Sequence, residues 1–355
     1  MSFQGIKNCF YTSAKGSYGF FHLLSDNPKS YRINSFAIIP YENRGVTGVK
    51  PCFYEITGFI RHSESPLMRF TDVESPIHLK SRTCKAVYLK NIHELKEQIQ
   101  NGNIYEINYC MEFYSDNAHI DPMNVFLKLN ELAKAPYSQL VKLGDDYIIC
   151  ASPELFLKKQ GNTLITKPIK GTVRRGKTDE EDEALKNSLQ NDIKERTENV
   201  MAVDVARNDL SMFAEKGSVH VNKLYNIETF ETLHQMVSTV SCEIKEGTSF
   251  EKILASTFPM ASMTGAPKLR AMELIDAVED FDRKNYSGAM GVIDEKGDYT
   301  LSVIIRSIFY NEKTKKLSIA VGGAITYLSD PEKEYEECLL KANALLKVLN
   351  AVIVD

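Results

Sequence analysis

Two pairs of glutamates have the spacing that places both members of a pair on one face of a helix. Glu195 and Glu198 lie in the segment ERTENVMAVDVARNDL, and Glu334 and Glu337 lie in DPEKEYEECLLKA. Apolar residues continue each face, so these carboxylates are expected to point toward the core. Buried carboxylates need compensation, which Mg²⁺ with oxygen ligands would supply. The alternatives are a solvated acidic face and, for the second pair, a favourable interaction with the helix dipole.

A lysine inside a glycine-containing basic segment is a candidate nucleophile. Lys170 precedes Gly171 in TKPIKGTVRRG, with Lys167, Arg174 and Arg175 as sequence neighbours. If these cations lie close in space, they would lower the pKa of Lys170 and increase its neutral, nucleophilic fraction. The alternative is a surface lysine in a basic loop.

Three further segments have the features of anion or ligand sites. In PMASMTGAPKLR, a glycine turn with Thr264 leads into a helix opened by Pro267, whose free N–H groups suit a carboxylate or simply need capping. The phosphate-loop pattern GxxxxGK[ST] is absent, which argues against a nucleoside triphosphate. The Val321–Ile325 segment, VGGAI, has small side chains, so a ligand could approach its backbone closely. Arg306 in LSVIIRSIF is suited to bidentate carboxylate binding if it faces a cleft and not water.

The elements that must position these residues are strands separated by isolated helices. This order predicts an α+β fold with a mostly antiparallel sheet, not a strict βαβ alternation. Strands are expected at Ser35–Tyr41, Tyr54–Ile60, Ile104–Tyr114, within Gln139–Lys170 and within Val219–Ile244, and helices at Ile92–Gln100, Asp121–Lys134, Asp179–Lys216 (with one break), Pro267–Val278 and Asp330–Asn350. We expect one domain, in which residues 1–90 form a β-rich segment of the same fold and residues 91–355 carry the catalytic region.

Composition excludes several classes of protein. The 355 residues are 43% hydrophobic and 25% charged, which is globular and not disordered, and the net charge of −4 disfavours nucleic-acid binding. Seven scattered cysteines without a CxxC pattern argue against a disulfide framework or a zinc ribbon. The sequence has no signal-peptide pattern and no run of 18 apolar residues, so we expect a cytoplasmic protein that does not contact a membrane.

Eight strings, spread from about Gly102 to Leu349, together resemble the motifs of the chorismate-utilising enzymes. That family includes the anthranilate, aminodeoxychorismate, isochorismate and salicylate synthases. The strings are SPELF, PIKGT, ERTENVMAVDVARNDL, TGAPKLRAMELID, YSGAMG, IIR, GGAI and DPEKEYEECLLKA. The resemblance implies a large single-domain α/β sandwich of mostly antiparallel sheets with helices outside, chorismate as substrate and Mg²⁺ as cofactor.

The residue type at the position of Lys170 distinguishes the members of this family. The other synthases generally have alanine at that position, whereas lysine is typical of the aminodeoxychorismate synthase (para-aminobenzoate synthase) component I group. The resemblance then implies that Lys170 attacks chorismate and that ammonia from a partner glutamine amidotransferase completes the amination, with a separate lyase acting downstream toward 4-aminobenzoate and folate. The alternatives are an anthranilate or isochorismate synthase in which Lys170 is incidental, and a non-catalytic scaffold that binds a glutaminase.

The same resemblance assigns the other site residues. It implies that Glu154 is the general acid for the departing C4 hydroxyl, that Glu198 and Glu337 bind Mg²⁺ directly, and that Glu195 and Glu334 bind it through water. The residues implied to bind substrate are Gly171, Thr172, Thr264, Tyr286, Arg306, Gly322, Gly323, Ala324 and Lys341.

The chain also departs from the family pattern. Gln235 stands where histidine is frequent, which fits a synthase that leaves the lyase step to another enzyme. Glu106 replaces the usual glutamine or lysine, and handles either ammonium or a proton. Met260-Ala261 and Ala324 replace glycines at the pocket edge.

Overall fold

The computed structural model describes residues 7–13, 18–27, 31–41, 50–63, 75–231 and 233–354. The strands are β1 Asn8–Ser13, β2 Tyr18–Leu24, β3 Ser35–Ile39, β4 Cys52–Ser63, β5 Ile77–Ser81, β6 Glu106–Ser115, β7 Tyr137–Leu143, β8 Asp146–Ser152, β9 Leu155–Gln160, β10 Thr163–Lys167, β11 Ile169–Arg174, β12 His220–Thr229, β13 Leu233–Glu243, β14 Gly265–Ala266, β15 Ala289–Ile293, β16 Tyr299–Val303, β17 Ser307–Asn311, β18 Leu317–Ile325 and β19 Ala351–Val354. The helices are α1 Lys85–Gln100, α2 Pro122–Ala133, α3 Asp179–Asn191, α4 Ile193–Ser211, α5 Phe250–Thr257, α6 Lys268–Val278 and α7 Pro331–Leu349.

These strands form two sheets, which we call sheet A and sheet B. Sheet A runs in the order β4–β2–β1–β7–β8–β17–β18–β6, and the far edge of β6 pairs with both β14 and β5. Sheet B runs in the order β4–β3–β15–β16–β9–β10–β13, and β13 also pairs with β11 and β12. Among the described strands, only β5 and β19 pair in parallel. The predicted α+β class with mostly antiparallel sheets is confirmed.

Strand β4 belongs to both sheets. Its first residues pair with β3, and its later residues pair with β2. A cluster of buried residues that includes Phe10 and Ile148 of sheet A and Phe36 and Met290 of sheet B fills the space where the sheets meet. Each such side chain contributes about 1.5–3 kcal/mol when fully buried. The two sheets are therefore joined both by a shared strand and by a common core.

Helices cover the outer faces of the two sheets. Helices α1, α2 and α7 bury apolar side chains such as Ile92, Phe126 and Leu345 in one core cluster with strands of sheet A. Helices α4 and α5 bury Val203 and Ile253 in a cluster with strands of sheet B. Within the described ranges, no helix has both the length and the apolar character needed to cross a membrane.

Capping residues fix where the two glutamate-bearing helices begin. Asp192 ends α3 and begins α4, and its carboxylate accepts a hydrogen bond from the Glu195 N–H at 2.9 Å. This residue is the break expected within Asp179–Lys216. Asp330 caps α7 in the same way, with Pro331 at the first helical position, which agrees with the helix predicted from Asp330.

Several boundaries differ from the sequence prediction. Helix α1 begins at Lys85, seven residues before Ile92, and the helical stretch expected to reach Lys216 ends at Ser211. Strands of the first 90 residues pair with later ones, since β1 pairs with β7 and β3 with β15. The division between residues 90 and 91 itself stays a prediction.

Candidate active site

Lys170 lies at the meeting point of the two sheets. It belongs to β11 of sheet B, and its buried Nζ donates a hydrogen bond to Glu106 Oε1 on β6 of sheet A. The same Nζ lies 3.9 Å from Glu198 Oε2 on α4. The side chains of all three residues are buried. The structure thus brings the proposed nucleophile into contact with two of the proposed site carboxylates.

The electrostatic environment of Lys170 is opposite to the one expected from its sequence neighbours. Burial alone would lower the pKa of Lys170, but the negative charges of Glu106 and Glu198 outweigh it and raise the pKa. The expectation that basic neighbours lower this pKa is therefore wrong. Those neighbours are each paired with another acid: Lys167 with Glu228, Arg174 with Glu181, and Arg175 with Asp182.

Glu154 is buried between β8 and β9 and accepts a hydrogen bond from Ser262 Oγ at 2.7 Å. Burial raises the pKa of Glu154 to about 7, although the Ser262 hydrogen bond and the charge of Lys170 act in the opposite direction. Near neutral pH both forms of this carboxyl group are populated, so it can donate and accept a proton. Sequence reasoning missed Ser262, which lies only two residues before Thr264 in a segment already selected for anion binding.

The two glutamate pairs face a common region between α4 and α7. Glu198 and Glu334 are buried, whereas Glu195 and Glu337 are half-buried. Burial raises the pKa of Glu198 to about 8. Burial would also raise the pKa of Glu337, but the neighbouring Lys341, whose Nζ is 2.7 Å from Glu337 Oε1, holds it below its usual value.

Lys194 connects the two helices and was not selected from the sequence. Its Nζ lies 2.9 Å from Glu334 Oε1 on α7 and 3.7 Å from Glu198 Oε1 on its own helix α4. We call the space between these two carboxylates the inter-helix gap. One ammonium group therefore interacts with a carboxylate from each of the two predicted metal-binding pairs.

The donor atoms of the inter-helix gap fit a hard divalent cation. Glu198 Oε1 and Glu334 Oε2 are buried and have no hydrogen-bond partner among the described residues. Mg²⁺ commonly takes one or two protein carboxylates and completes its shell with water and substrate. In the described ranges, no three His, Cys, Asp or Glu residues form a group that could hold a metal ion. The full set of four glutamate ligands stays a prediction.

Two glycines let the backbone approach these carboxylates. Gly171 has a φ of +73°, and a Cβ on it would lie 2.9 Å from Glu195 Oε2. A Cβ on Gly323 would lie 3.3 Å from Glu334 Oε2. The adjacent Gly322 carbonyl accepts a hydrogen bond from Lys341 Nζ at 2.8 Å. At these glycines, the backbone of β11 and of β18 therefore lies next to the two glutamate pairs without an intervening side chain.

Arg306 and Tyr286 lie close to the same region. Arg306 is half-buried, with a φ of +52°, and its guanidinium has no hydrogen bond or ion pair with the described residues. Burial lowers the pKa of Arg306, while Tyr286 and Glu337 act in the opposite direction. Burial and the nearby Cys110 raise the pKa of Tyr286. An unpaired, half-buried guanidinium is available to a substrate carboxylate.

The remaining predicted pocket residues are more weakly tied to this centre. Thr264 is buried, and its hydroxyl donates to the Met260 carbonyl at 3.0 Å. Thr172 is exposed, and its hydroxyl accepts a 3.4 Å hydrogen bond from Gln235 Nε2. Ala324 is buried on β18.

The glycine that precedes α6 lies in a strand, not in a turn. Gly265 and Ala266 form β14, which pairs with Glu106 and Ile107 of β6. The predicted glycine turn is thus wrong, because Gly265 lies in this strand, whereas the predicted helix is confirmed and begins at Lys268, directly after Pro267.

A buried ion pair holds the two backbone segments that carry Ser262 and Glu106. Arg283 pairs with Glu279 at 2.6 Å and donates to the Met263 carbonyl at 2.7 Å and to the Asn108 carbonyl at 2.8 Å. Since Met263 follows Ser262 and Asn108 lies on the strand of Glu106, one guanidinium fixes both segments. The i, i+4 spacing of Glu279 and Arg283 is visible in the sequence, but it does not indicate that the pair is buried or that it reaches the other two segments.

Comparison with known proteins identifies relatives over most of the chain. Residues 53–347 match the family described as chorismate binding enzyme. The chain is 39% identical over 268 residues to a probable chloroplastic aminodeoxychorismate synthase of Oryza sativa subsp. japonica, and this match covers 75% of the chain and 30% of the relative. It is 36% identical over 258 residues to aminodeoxychorismate synthase component 1 of Bacillus subtilis (strain 168), covering 73% and 54%. It is 34% identical over 291 residues to anthranilate synthase component 1 of Acetivibrio thermocellus, covering 81% and 58%.

These matches span between about a third and just over half of the relatives' own lengths. In three dimensions, the chain resembles a putative 2,3-dihydroxybenzoate-specific isochorismate synthase of Bacillus anthracis, with a TM-score of 0.76, 19% identity, and coverage of 97% of this chain and 96% of the other. That likeness agrees with the sandwich of two sheets and its outer helices. On the sequence match over residues 53–347, the chain belongs to the chorismate binding enzyme family.

Proposed function

We propose that this chain aminates chorismate at C4 to give 4-amino-4-deoxychorismate. The observation that carries the proposal is the buried Lys170 ammonium held by Glu106 and adjacent to Glu198. The names of the relatives from Oryza sativa and Bacillus subtilis support the same reaction.

In the first step, Lys170 gives a proton to Glu106 and its neutral amine attacks C2 of chorismate. Both ring double bonds shift, from C1=C2 and C5=C6 to C1=C6 and C4=C5, the C4–O bond breaks, and Glu154 donates a proton to the departing hydroxyl, which leaves as water. The raised pKa of Glu154, about 7, supports this role, because a protonated carboxyl is present near neutral pH. The result is a substrate bound covalently through Lys170.

In the second step, ammonia attacks C4, both double bonds shift back to C1=C2 and C5=C6, and the C2–N bond to Lys170 breaks. Glu154 accepts the proton that the new amine loses, and Glu106 returns its proton to the departing lysine. Both carboxyl groups and Lys170 regain their starting states. The overall change is chorismate plus ammonia to 4-amino-4-deoxychorismate plus water.

The remaining residues bind and orient the substrate. Arg306, whose guanidinium has no ion pair with the described residues, holds a substrate carboxylate, and the bare backbone of Gly171 and Gly323 lets the ring approach the glutamates. Glu198 and Glu334, each with a buried oxygen that has no hydrogen-bond partner among the described residues, would hold Mg²⁺, and Glu195 and Glu337 would complete its shell. The roles of Glu334 and Glu337 in this proposal are exchanged relative to those that the family resemblance implies. When bound, that cation offsets the negative charge of the substrate carboxylates beside the glutamates.

The proposal also includes two partner proteins, a glutamine amidotransferase and a lyase, and a cytoplasmic location. A glutamine amidotransferase supplies the ammonia, and a lyase converts the product to 4-aminobenzoate for folate synthesis. Gln235, which stands where histidine is frequent, supports a synthase without the lyase step. The seven cysteines are all free, which supports a reducing, cytoplasmic location.

Product analysis tests the proposal. Purified protein is incubated with chorismate, Mg²⁺ and an ammonium salt, and the products are resolved by chromatography and mass before and after addition of a lyase. We expect 4-aminobenzoate only after the lyase is added.

Lys170→Ala should lose at least about a hundredfold in rate, because the covalent route needs the amine. The control Lys167→Ala removes a lysine paired with Glu228 and should keep its activity. Full activity of Lys170→Ala would refute the covalent role.

A second candidate function is that of an anthranilate synthase. The match to the Acetivibrio thermocellus protein covers 81% of the chain, more than either aminodeoxychorismate synthase match described above. In that case Lys170 would not react. Formation of anthranilate in the same assay, undiminished in Lys170→Ala, would favour this candidate over the first.

A further inference from the structure

The inter-helix gap contains a cation that belongs to the chain itself. Lys194 Nζ lies 2.9 Å from Glu334 Oε1 and 3.7 Å from Glu198 Oε1, so it lies between carboxylates of two different helices. The Glu334 and Glu198 side chains are only 3% and 6% exposed, so their charges are poorly compensated by water. Lys170 also lies 3.9 Å from Glu198, but the Lys194 ammonium is the counter-ion that contacts both buried carboxylates.

Lys194 does not provide a hydrogen bond to every buried oxygen of the inter-helix gap. Glu198 Oε1 and Glu334 Oε2 still have no hydrogen-bond partner among the described residues. A single positive charge therefore does not satisfy the oxygens of the gap. A divalent cation would interact with both more strongly, but it would then be close to the Lys194 ammonium, and like charges at such a distance repel.

The Lys194 side chain can move its ammonium group out of the inter-helix gap and into water. Its side chain is 33% exposed, whereas the carboxylates that it contacts are buried. A lysine has a flexible four-carbon stem that can extend its ammonium into water at little cost. Lys170, by contrast, is 7% exposed and is held by Glu106.

We propose that Lys194 is a resident counter-ion of the inter-helix gap, which a divalent cation displaces when it binds to Glu198 and Glu334. This inference rests on the metal-binding part of the proposed function. It assigns to Lys194 two opposing effects: it stabilises the metal-free protein and weakens its affinity for Mg²⁺. The lysine thereby sets the Mg²⁺ concentration at which the site fills.

The test uses Lys194→Gln and measures Mg²⁺ binding without chorismate, by titration calorimetry and by thermal unfolding in EDTA and in Mg²⁺. In EDTA the variant should unfold several degrees below the wild type, because Glu334 loses its counter-ion. Mg²⁺ should bind the variant about tenfold more tightly and should raise its unfolding temperature more than that of the wild type. The matched control is Lys186→Gln, since Lys186 is also 33% exposed but pairs with Glu183, which is 63% exposed. The control should change neither quantity.

The outcomes separate this inference from the proposed reaction. Equal or weaker Mg²⁺ binding by Lys194→Gln would overturn the displacement, and so would undetectable Mg²⁺ binding by both proteins. Weaker binding would mean that Lys194 instead orients Glu334 for the metal. Tighter binding by the variant together with an absence of 4-amino-4-deoxychorismate in the product assay would keep the inference and reject the reaction.

Discussion

Lys170 and Glu106 form a buried ion pair that joins sheet B to sheet A. Lys170 lies on β11, Glu106 on β6, and their side chains are only 7% and 5% exposed. Breaking a buried pair from one side leaves an uncompensated charge, so the loss of either partner is expected to weaken the contact between the sheets.

The first prediction concerns the coupling of this pair. Lys170→Met should lower the free energy of unfolding by about 3 kcal/mol, because Glu106 loses its partner. The double variant Lys170→Met/Glu106→Gln should recover part of that loss, as measured by urea unfolding. Lys167→Met, whose partner Glu228 is 27% exposed, should change stability by less than about 1 kcal/mol. If the losses in the single variants Lys170→Met and Glu106→Gln simply added up in the double variant, Lys170 and Glu106 would not be coupled.

The second prediction concerns the proton that Glu154 carries. Ser262 donates a hydrogen bond to the Glu154 carboxylate and thereby favours the charged form. In Ser262→Ala the Glu154 pKa should rise above its value of about 7, so the loss of activity at alkaline pH should begin at a higher pH. The measurement is kcat/KM for chorismate against pH, at a constant concentration of unprotonated ammonia. Ser256→Ala, which removes a hydroxyl bonded within its own helix, serves as the control. An alkaline limb that does not move would argue against Glu154 as the acid.

The third prediction separates backbone strain from close approach at Gly171. Gly171 and Gly161 both have positive φ, +73° and +58°, but a Cβ at Gly171 would meet Glu195 and Leu189, whereas a Cβ at Gly161 would meet nothing within 4 Å. Both alanine variants should lose about 1 kcal/mol of stability from backbone strain. Only Gly171→Ala should also lose activity, by at least about tenfold, since it displaces Glu195. Equal activity of the two variants would mean that the backbone at Gly171 does not shape the site.

The fourth prediction concerns the attachment of α3. Asp182 accepts hydrogen bonds from Arg175, from the Gly176 N–H and from His234 Nε2, and the Arg175 and Gly176 contacts hold its pKa below the usual value. A carboxylate with a depressed pKa stabilises the fold above its unfolded pKa of about 3.9, and this stabilisation is lost as the pH falls. Asp182→Asn should therefore lower the unfolding temperature at pH 7, and its difference from the wild type should shrink below about pH 4.

The control for that experiment is Glu183→Gln, which removes an exposed pair with Lys186 on the same helix. This substitution should leave the unfolding temperature unchanged at both pH values. A difference between Asp182→Asn and the wild type that stayed constant down to pH 3 would contradict the role of the Asp182 charge.

The sequence predicted the helical parts of this site better than its contacts. The i, i+3 glutamates of α4 and α7 were found because a helix repeats every 3.6 residues, so spacing alone reports a shared face. The predicted start of α7 at Asp330 was also right, because Asp330 caps that helix, whereas the cap of α4 at Asp192 was not predicted. The family motifs located Lys170.

The contacts between distant segments could not be read in this way. The pKa direction of Lys170 was mispredicted because its neighbours in space, Glu106 and Glu198, come from another sheet and a helix. Lys194 was missed because its i, i+4 relation to Glu198 is that of an ordinary surface pair, and its closer partner is 140 residues away. The fold brought these charges together, and no local pattern reports it.

The order in which such a site can form follows from these separations. Lys170 and Glu106 are 64 residues apart in the chain, Glu154 and Ser262 are 108 apart, and Lys194 and Glu334 are 140 apart. Closing loops of this length is slow compared with forming a helix, and the entropy lost is recovered only when the distant contacts are made. Helices α4 and α7 can therefore form before their glutamates have any partner. The buried charges meet only once the two sheets have closed on each other, so partly folded chains do not yet contain the assembled site.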